Sequence, residues 1–172
     1  MAITSIGLIE FNSLARGIET GDAMLKAGGV ELAFAKPVCP GKYMVLVYGD
    51  VGAVNAAMAA GLSIAGANRV NDVIIPRVHP SLIPAINAVV DIEGVSALGV
   101  VEYFDIASAI LGADAAAKTG NVQLMEVRLG MGIGGKSFFT LCGDVSDVKS
   151  AVRAALDDPE HHGAVVNSCV IP

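Results

Sequence analysis

The residue in this chain best placed to do chemistry is Cys39, which stands in the short loop Pro37-Val38-Cys39-Pro40-Gly41-Lys42 between two apolar runs. A loop thiol is a nucleophile or a soft-metal ligand. Pro40 biases Cys39 toward extended backbone, and with Pro37 it lowers the entropy lost in ordering the loop. Cys142 and Cys169 lie in apolar strand contexts and read as core residues.

Other residues offer chemistry less directly. Gly130-Met131-Gly132-Ile133-Gly134-Gly135-Lys136-Ser137 satisfies the phosphate-loop pattern. That cradle needs a helix to follow, so that its N-terminus faces the phosphate. Here Phe138 to Cys142 reads as a strand, which argues against a nucleotide-binding regulator. The adjacent pair His161-His162 follows Asp157-Asp158-Pro159-Glu160 and reads as a solvated connection. His79, between Val78 and Pro80, reads as a contact residue and not as a base. Glu10 and Glu102 resemble a carboxylate pair, but they recur at matching positions of a repeat. That points to one structural hydrogen bond made twice.

The elements that position these residues come in two copies. Ile6 to Phe11 (Ile-Gly-Leu-Ile-Glu-Phe) matches Leu98 to Tyr103 (Leu-Gly-Val-Val-Glu-Tyr), 92 positions on. Ala15, Ile18, Asp22, Ala23, Lys26, Gly28, Val30 and Leu32 recur at the same offset. Beyond the loop the offset becomes 94, since Gly41-Lys42 and Gly49-Asp50-Val51 recur as Gly135-Lys136 and Gly143-Asp144-Val145. The second loop therefore holds two extra residues. We place the copies at residues 1–90 and 91–172.

Within a copy the order reads strand, helix, strand, strand, helix, strand. Residues 3–11 are β-branched and apolar, and Leu14, Ile18 and Leu25 fall at helical spacing up to Gly28-Gly29. Residues 30–36 and 43–48 make a hairpin around the Cys39 loop. Asp50 is the expected N-cap of an alanine-rich helix to about Ala60, and Asp144 is its equivalent. Residues 70–75 close the sheet, and Pro80 to Val90 forms a short turn or helix. This βαββαβ order predicts an α+β fold of two tandem ferredoxin-like domains, not circularly permuted.

Composition bounds the partners. The 172 residues are 53% hydrophobic and 16% charged, with mean hydropathy +0.63. So apolar a chain without an uninterrupted apolar run long enough for a membrane span is expected to bury surface between subunits. A net charge of −6 and the lack of basic clusters argue against nucleic acid. Three cysteines fit a reduced compartment, and the N-terminus shows no signal-peptide pattern.

Taken together, the tandem Gly-Leu-Ile-Glu opening, the Asp-x-x-x-Lys-x-Gly helix end, the Pro-Gly-Lys loop, the Gly-Asp cap and the Ile-Pro-Arg-x-His-Pro close resemble bacterial microcompartment shell proteins. The resemblance covers nearly the whole chain and is greatest to the tandem-domain type that binds iron–sulfur in propanediol-utilisation compartments. It implies a homotrimer forming a six-domain, pseudohexameric tile in a compartment shell in the cytoplasm, and no enzyme activity. It places Val38, Cys39, Pro40 and Gly41, with Gly132, Ile133, Gly134 and Gly135, around a central pore. Three Cys39 thiolates would then hold one 4Fe-4S cluster per trimer, the fourth iron taking water or a small ligand. The work implied is electron transfer or cluster delivery across the shell, with an encapsulated redox enzyme as a partner. A metal-free pore for small metabolites is the alternative. Lys26, Lys118, Arg77 and His79 match the tile edge that meets other shell proteins. No counterpart of Arg77 and His79 follows Pro172, so unequal edges are expected.

Overall fold

The computed structural model of the chain describes residues 4–92, 94–157 and 164–172. It divides into two compact units, Met1–Val78 and His79–Pro172. The division falls twelve residues earlier than the sequence-based boundary at 90. The reason is a short helix, α3 (Leu82–Ile86), which buries Leu82 and Ala85 and packs on elements of the second unit.

The first unit runs β1 (Ser5–Phe11), α1 (Leu14–Ala27), β2 (Glu31–Val38), β3 (Lys42–Gly49), α2 (Val51–Ala65) and β4 (Arg69–Pro76). The second, after α3, runs β5 (Ala97–Tyr103), α4 (Ile106–Thr119), β6 (Val122–Leu129), β7 (Ser137–Gly143), α5 (Val145–Leu156) and β8 (Val165–Ile171). Each sheet is antiparallel, in the order β2-β3-β1-β4 or β6-β7-β5-β8. This is the ferredoxin-like arrangement expected from the element order. Even the irregularities repeat: pairing slips after Glu10 and after Glu102, and again after Leu32 and after Leu124.

Local chemistry accounts for the boundaries. Ser13 accepts a hydrogen bond from the Arg16 backbone N–H at the start of α1, and Asp105 does the same for Ser108 at α4. Asp50 caps α2 through the Ala53 N–H at 2.8 Å. Asp144 holds the equivalent position on α5 but makes no side-chain cap bond, a departure from the expected equivalence. Helix α2 continues to Ala65, past the expected Ala60, because nothing breaks it before Gly66, which has φ +51. The stretch Val51–Asn68 is long and apolar enough by composition to cross a membrane, but here Val54, Ala57, Met58 and Ala65 join the first unit's core with Ile9, Phe11, Met24, Val45 and Val47.

The two copies are not equally covered. All seven residues of β1 are buried, whereas β5 alternates between buried and half-buried. On α1, Leu14, Ile18 and Leu25 are exposed; their counterparts on α4, Ile106, Ile110 and Ala117, are buried. On β4, Val73 pairs with Leu8 and is buried, while its counterpart on β8, Cys169, pairs with Val100 and is exposed. Nothing in the sequence of either copy alone demands this. It leaves an apolar helix face open on the first unit and a sheet face open on the second.

Candidate metal centre at the hairpin loops

The loop of the first unit is the turn of the β2–β3 hairpin. Pro37 pairs with Tyr43 and Val38 with Lys42, which leaves Cys39, Pro40 and Gly41 as the tip. Val38 is buried; Cys39, Pro40 and Gly41 face solvent. The Cys39–Pro40 peptide is cis and Gly41 has φ +70, a left-handed conformation that costs a residue with a Cβ about 1–2 kcal/mol. The Cys39 thiol is free and exposed.

In the second unit, Leu129 pairs with Ser137 where Pro37 pairs with Tyr43. Seven residues therefore replace five, as the change of offset predicts. Gly130, Gly132, Gly134 and Gly135 all have positive φ, and Ile133 accepts the turn's backbone bond from Lys136 N–H at 3.3 Å. A strand, β7, follows. The hydroxyl of Ser137, which would serve a magnesium ion in a phosphate loop, is fully buried, and the Lys136 ammonium is engaged by Glu102. The segment lacks the helix and the free lysine that phosphate binding needs.

Behind each loop stands an ion pair. Lys42 Nζ lies 2.9 Å from Glu10 Oε1; the glutamate side chain is fully buried and the lysine 20% exposed. Lys136 meets Glu102 in the same way, with both partners more open. The sequence singled out the two glutamates as a repeated structural bond but missed the lysines. Their signal was present: each follows the last loop glycine, in Gly41-Lys42 and Gly135-Lys136.

The donor set tests the metal reading. Among the described residues no three His, Cys, Asp or Glu side chains gather to hold a metal ion. Among the described residues no set of metal-ligating side chains joins Cys39, and the residues fit a four-iron cluster only where several chains bring their Cys39 tips together. Cys142 is buried, and burial pushes its thiol up, so it stays protonated and inert. Cys169 corrects the sequence reading. It lies on β8 and is exposed, not in the core.

The candidate edge residues separate. Lys26 pairs with Asp22 at 2.6 Å on open surface. Lys118 pairs with Asp114, whose carboxylate is 4% exposed and also accepts the His79 backbone N–H at 2.7 Å. Arg77 is exposed with φ +51. The His79 ring meets Ser81 Oγ at 2.7 Å, but Asp114 takes the histidine's backbone and not its ring, so this is a fastened turn and not a relay. His161 and His162 lie outside the described residues.

Two ferredoxin-like units of common descent, each presenting a loop pinned from behind, define a duplicated structural building block. The BMC domain model matches residues 5–78 and again 97–172, and the chain belongs to that family of bacterial microcompartment shell proteins. It is 43% identical over 168 residues to the bacterial microcompartment shell protein PduT of Citrobacter freundii, covering 98% of this chain and 91% of that one. A single-domain relative, the shell protein PduA of Citrobacter freundii, is 40% identical over 79 residues, which span 44% of this chain and 83% of that one. Among solved structures, a microcompartment protein from Desulfitobacterium hafniense superposes with TM-score 0.90 at 54% identity, covering 99% of this chain and 95% of that one. The fused permuted hexameric shell protein MSM0275 superposes with TM-score 0.67 at 27% identity, covering 88% and 79%. The place of the present chain is the shell of a microcompartment, and its family is a structural one.

Proposed function

We propose that three copies of this chain close into a pseudohexameric tile whose central pore holds one 4Fe-4S cluster on three Cys39 thiolates. The observation that carries the reading is the free, solvent-facing thiol at the tip of one hairpin loop, set against a glycine loop without thiols in the other. Six loops around one axis would alternate between the two kinds, which makes the pore three-fold. A three-fold pore suits a cubane, three of whose irons can each take one protein thiolate.

The unequal burial of the two units supports closure by further copies. An open apolar helix face and an open sheet face on the same chain are what a neighbouring copy would cover, and heterologous contacts of this kind close into a ring when the rotation allows.

When bound, the cluster would supply a one-electron couple within the shell wall. This chain's residues then hold it at the pore, where electrons or the cluster itself can pass to an enclosed redox enzyme. Edges carrying Lys26, Lys118, Arg77 and His79 would meet other shell proteins. The test is anaerobic purification of the wild type and Cys39→Ser from iron-replete cells, with iron and sulfide analysis. A brown wild-type trimer and a colourless Cys39→Ser trimer support the proposal. An iron-free wild-type trimer would leave the tile but not the cluster, favouring a metal-free pore for small metabolites.

A further inference from the structure

The Cys39 tip has only three residues, and its far end is Lys42. The Lys42 ammonium is tied to a carboxylate with no exposed surface, on β1, the strand next to the hairpin. The arrangement is repeated by Lys136 and Glu102 beneath a loop that differs in length and composition. Duplicated loops that have diverged at the tip while keeping the same post at the root indicate that the post serves the loop and not its particular contents.

We infer that Lys42 is a positioning residue for Cys39. Its ion pair with Glu10 pins the hairpin root to β1 and so fixes where the thiol stands; Lys136 and Glu102 form the corresponding, more open pair under the glycine loop. An ion pair to a fully buried carboxylate is costly to break, because separating it parts two charges in a site that water cannot fill. The root is therefore stiffer than the turn it carries. A metal site built from one ligand per chain needs this, because no second ligand from the same chain corrects an error in the first. The inference rests on the reading of Cys39 as a cluster ligand for its consequence, but not for the pinning itself.

The experiment compares Lys42→Met, Lys42→Arg and the double variant Glu10→Gln/Lys42→Met in a Cys169→Ser background, using the full chain. The double variant removes both charges, so it folds even where Lys42→Met alone leaves the buried carboxylate without its cation. Two quantities are read on protein of verified oligomeric mass: iron retained per chain after challenge with a chelator, and the rate at which N-ethylmaleimide alkylates Cys39 in iron-free protein. We expect about tenfold weaker iron retention, the lower end of what loss of outer support costs a metal site, and several-fold altered alkylation in Lys42→Met and in the double variant. Lys42→Arg, which keeps the charge, should restore both. If the wild type carries no iron, the cluster reading fails and the alkylation rates alone decide the pinning. Alkylation unchanged in the double variant, or iron retained as in the wild type, overturns the inference.

Discussion

Replacing Ile18 separates assembly from folding. Ile18 is 60% exposed on α1, while Ile110, at the same position of the repeat, is fully buried. Full burial of an isoleucine is worth about 1.5–3 kcal/mol, so covering the exposed 60% of Ile18 contributes roughly 1–2 kcal/mol per contact. The proposed trimer closes through three equivalent contacts, giving about 3–6 kcal/mol in all. At about 1.4 kcal/mol per tenfold, Ile18→Ala should weaken trimer formation roughly a hundredfold to ten-thousandfold. Ile18→Glu, which carries a charge into the contact, should leave monomers. Neither should change the stability of the monomer by more than about 0.5 kcal/mol, the usual range at an exposed position. Ile110→Ala should instead cost the fold about 2–5 kcal/mol, as buried isoleucine truncations do. Light scattering over a dilution series reads the first effect, and denaturant unfolding the second. A trimer of Ile18→Glu that survives dilution as the wild type does would refute the assignment of α1 to the interface.

The three thiols should report assembly independently: maleimide modifies Cys39 and Cys169 in dilute monomer, and Cys169 becomes protected on assembly because its counterpart Val73 is a buried position. Cys142 should stay silent at neutral pH in both states, because burial raises its pKa. The sign follows: a thiol harder to ionise when folded contributes stability below its unfolded pKa, and the contribution is lost as pH rises through the folded value. Unfolding midpoints of wild type and Cys142→Ala should converge at alkaline pH. Gly112→Ala should destabilise the second unit by about 1–3 kcal/mol, the usual cost of overpacking, since a Cβ there would lie 2.1 Å from Tyr103 Oη, which donates to the Ala155 carbonyl at 2.9 Å. Denaturant unfolding checks it. Lys118→Ala should cost about 1–2 kcal/mol because it leaves a buried carboxylate with the His79 N–H but without its cation, while Lys26→Ala, at an exposed pair, should cost under about 1 kcal/mol; thermal unfolding at matched oligomeric state separates them.

Much of this was legible in the residues. The Gly-x-x-Glu repeat fixed the strands, and the change of offset from 92 to 94 placed two extra residues in the second loop, where the pairing of Leu129 with Ser137 puts them. The Cys39 loop read as a hairpin tip because prolines and glycine interrupt two apolar runs. What escaped depends on long-range packing. The lysine partners of Glu10 and Glu102 lie more than 30 residues away and meet them only across a sheet. Cys169 alternates with Val170 in an apolar strand, and the sequence does not say which face lies open. The residues after Val78 look like a tail of the first copy until α3 is seen to bury Leu82 and Ala85 in the second unit.

Native mass spectrometry under anaerobic conditions tests the central claim most directly. The account predicts one dominant species, three chains plus the mass of one 4Fe-4S cluster, and a Cys39→Ser trimer at the bare mass of three chains. A cluster retained by Cys39→Ser, a ratio of one cluster per chain, or a cluster-free wild-type trimer from iron-replete anaerobic cells would contradict it.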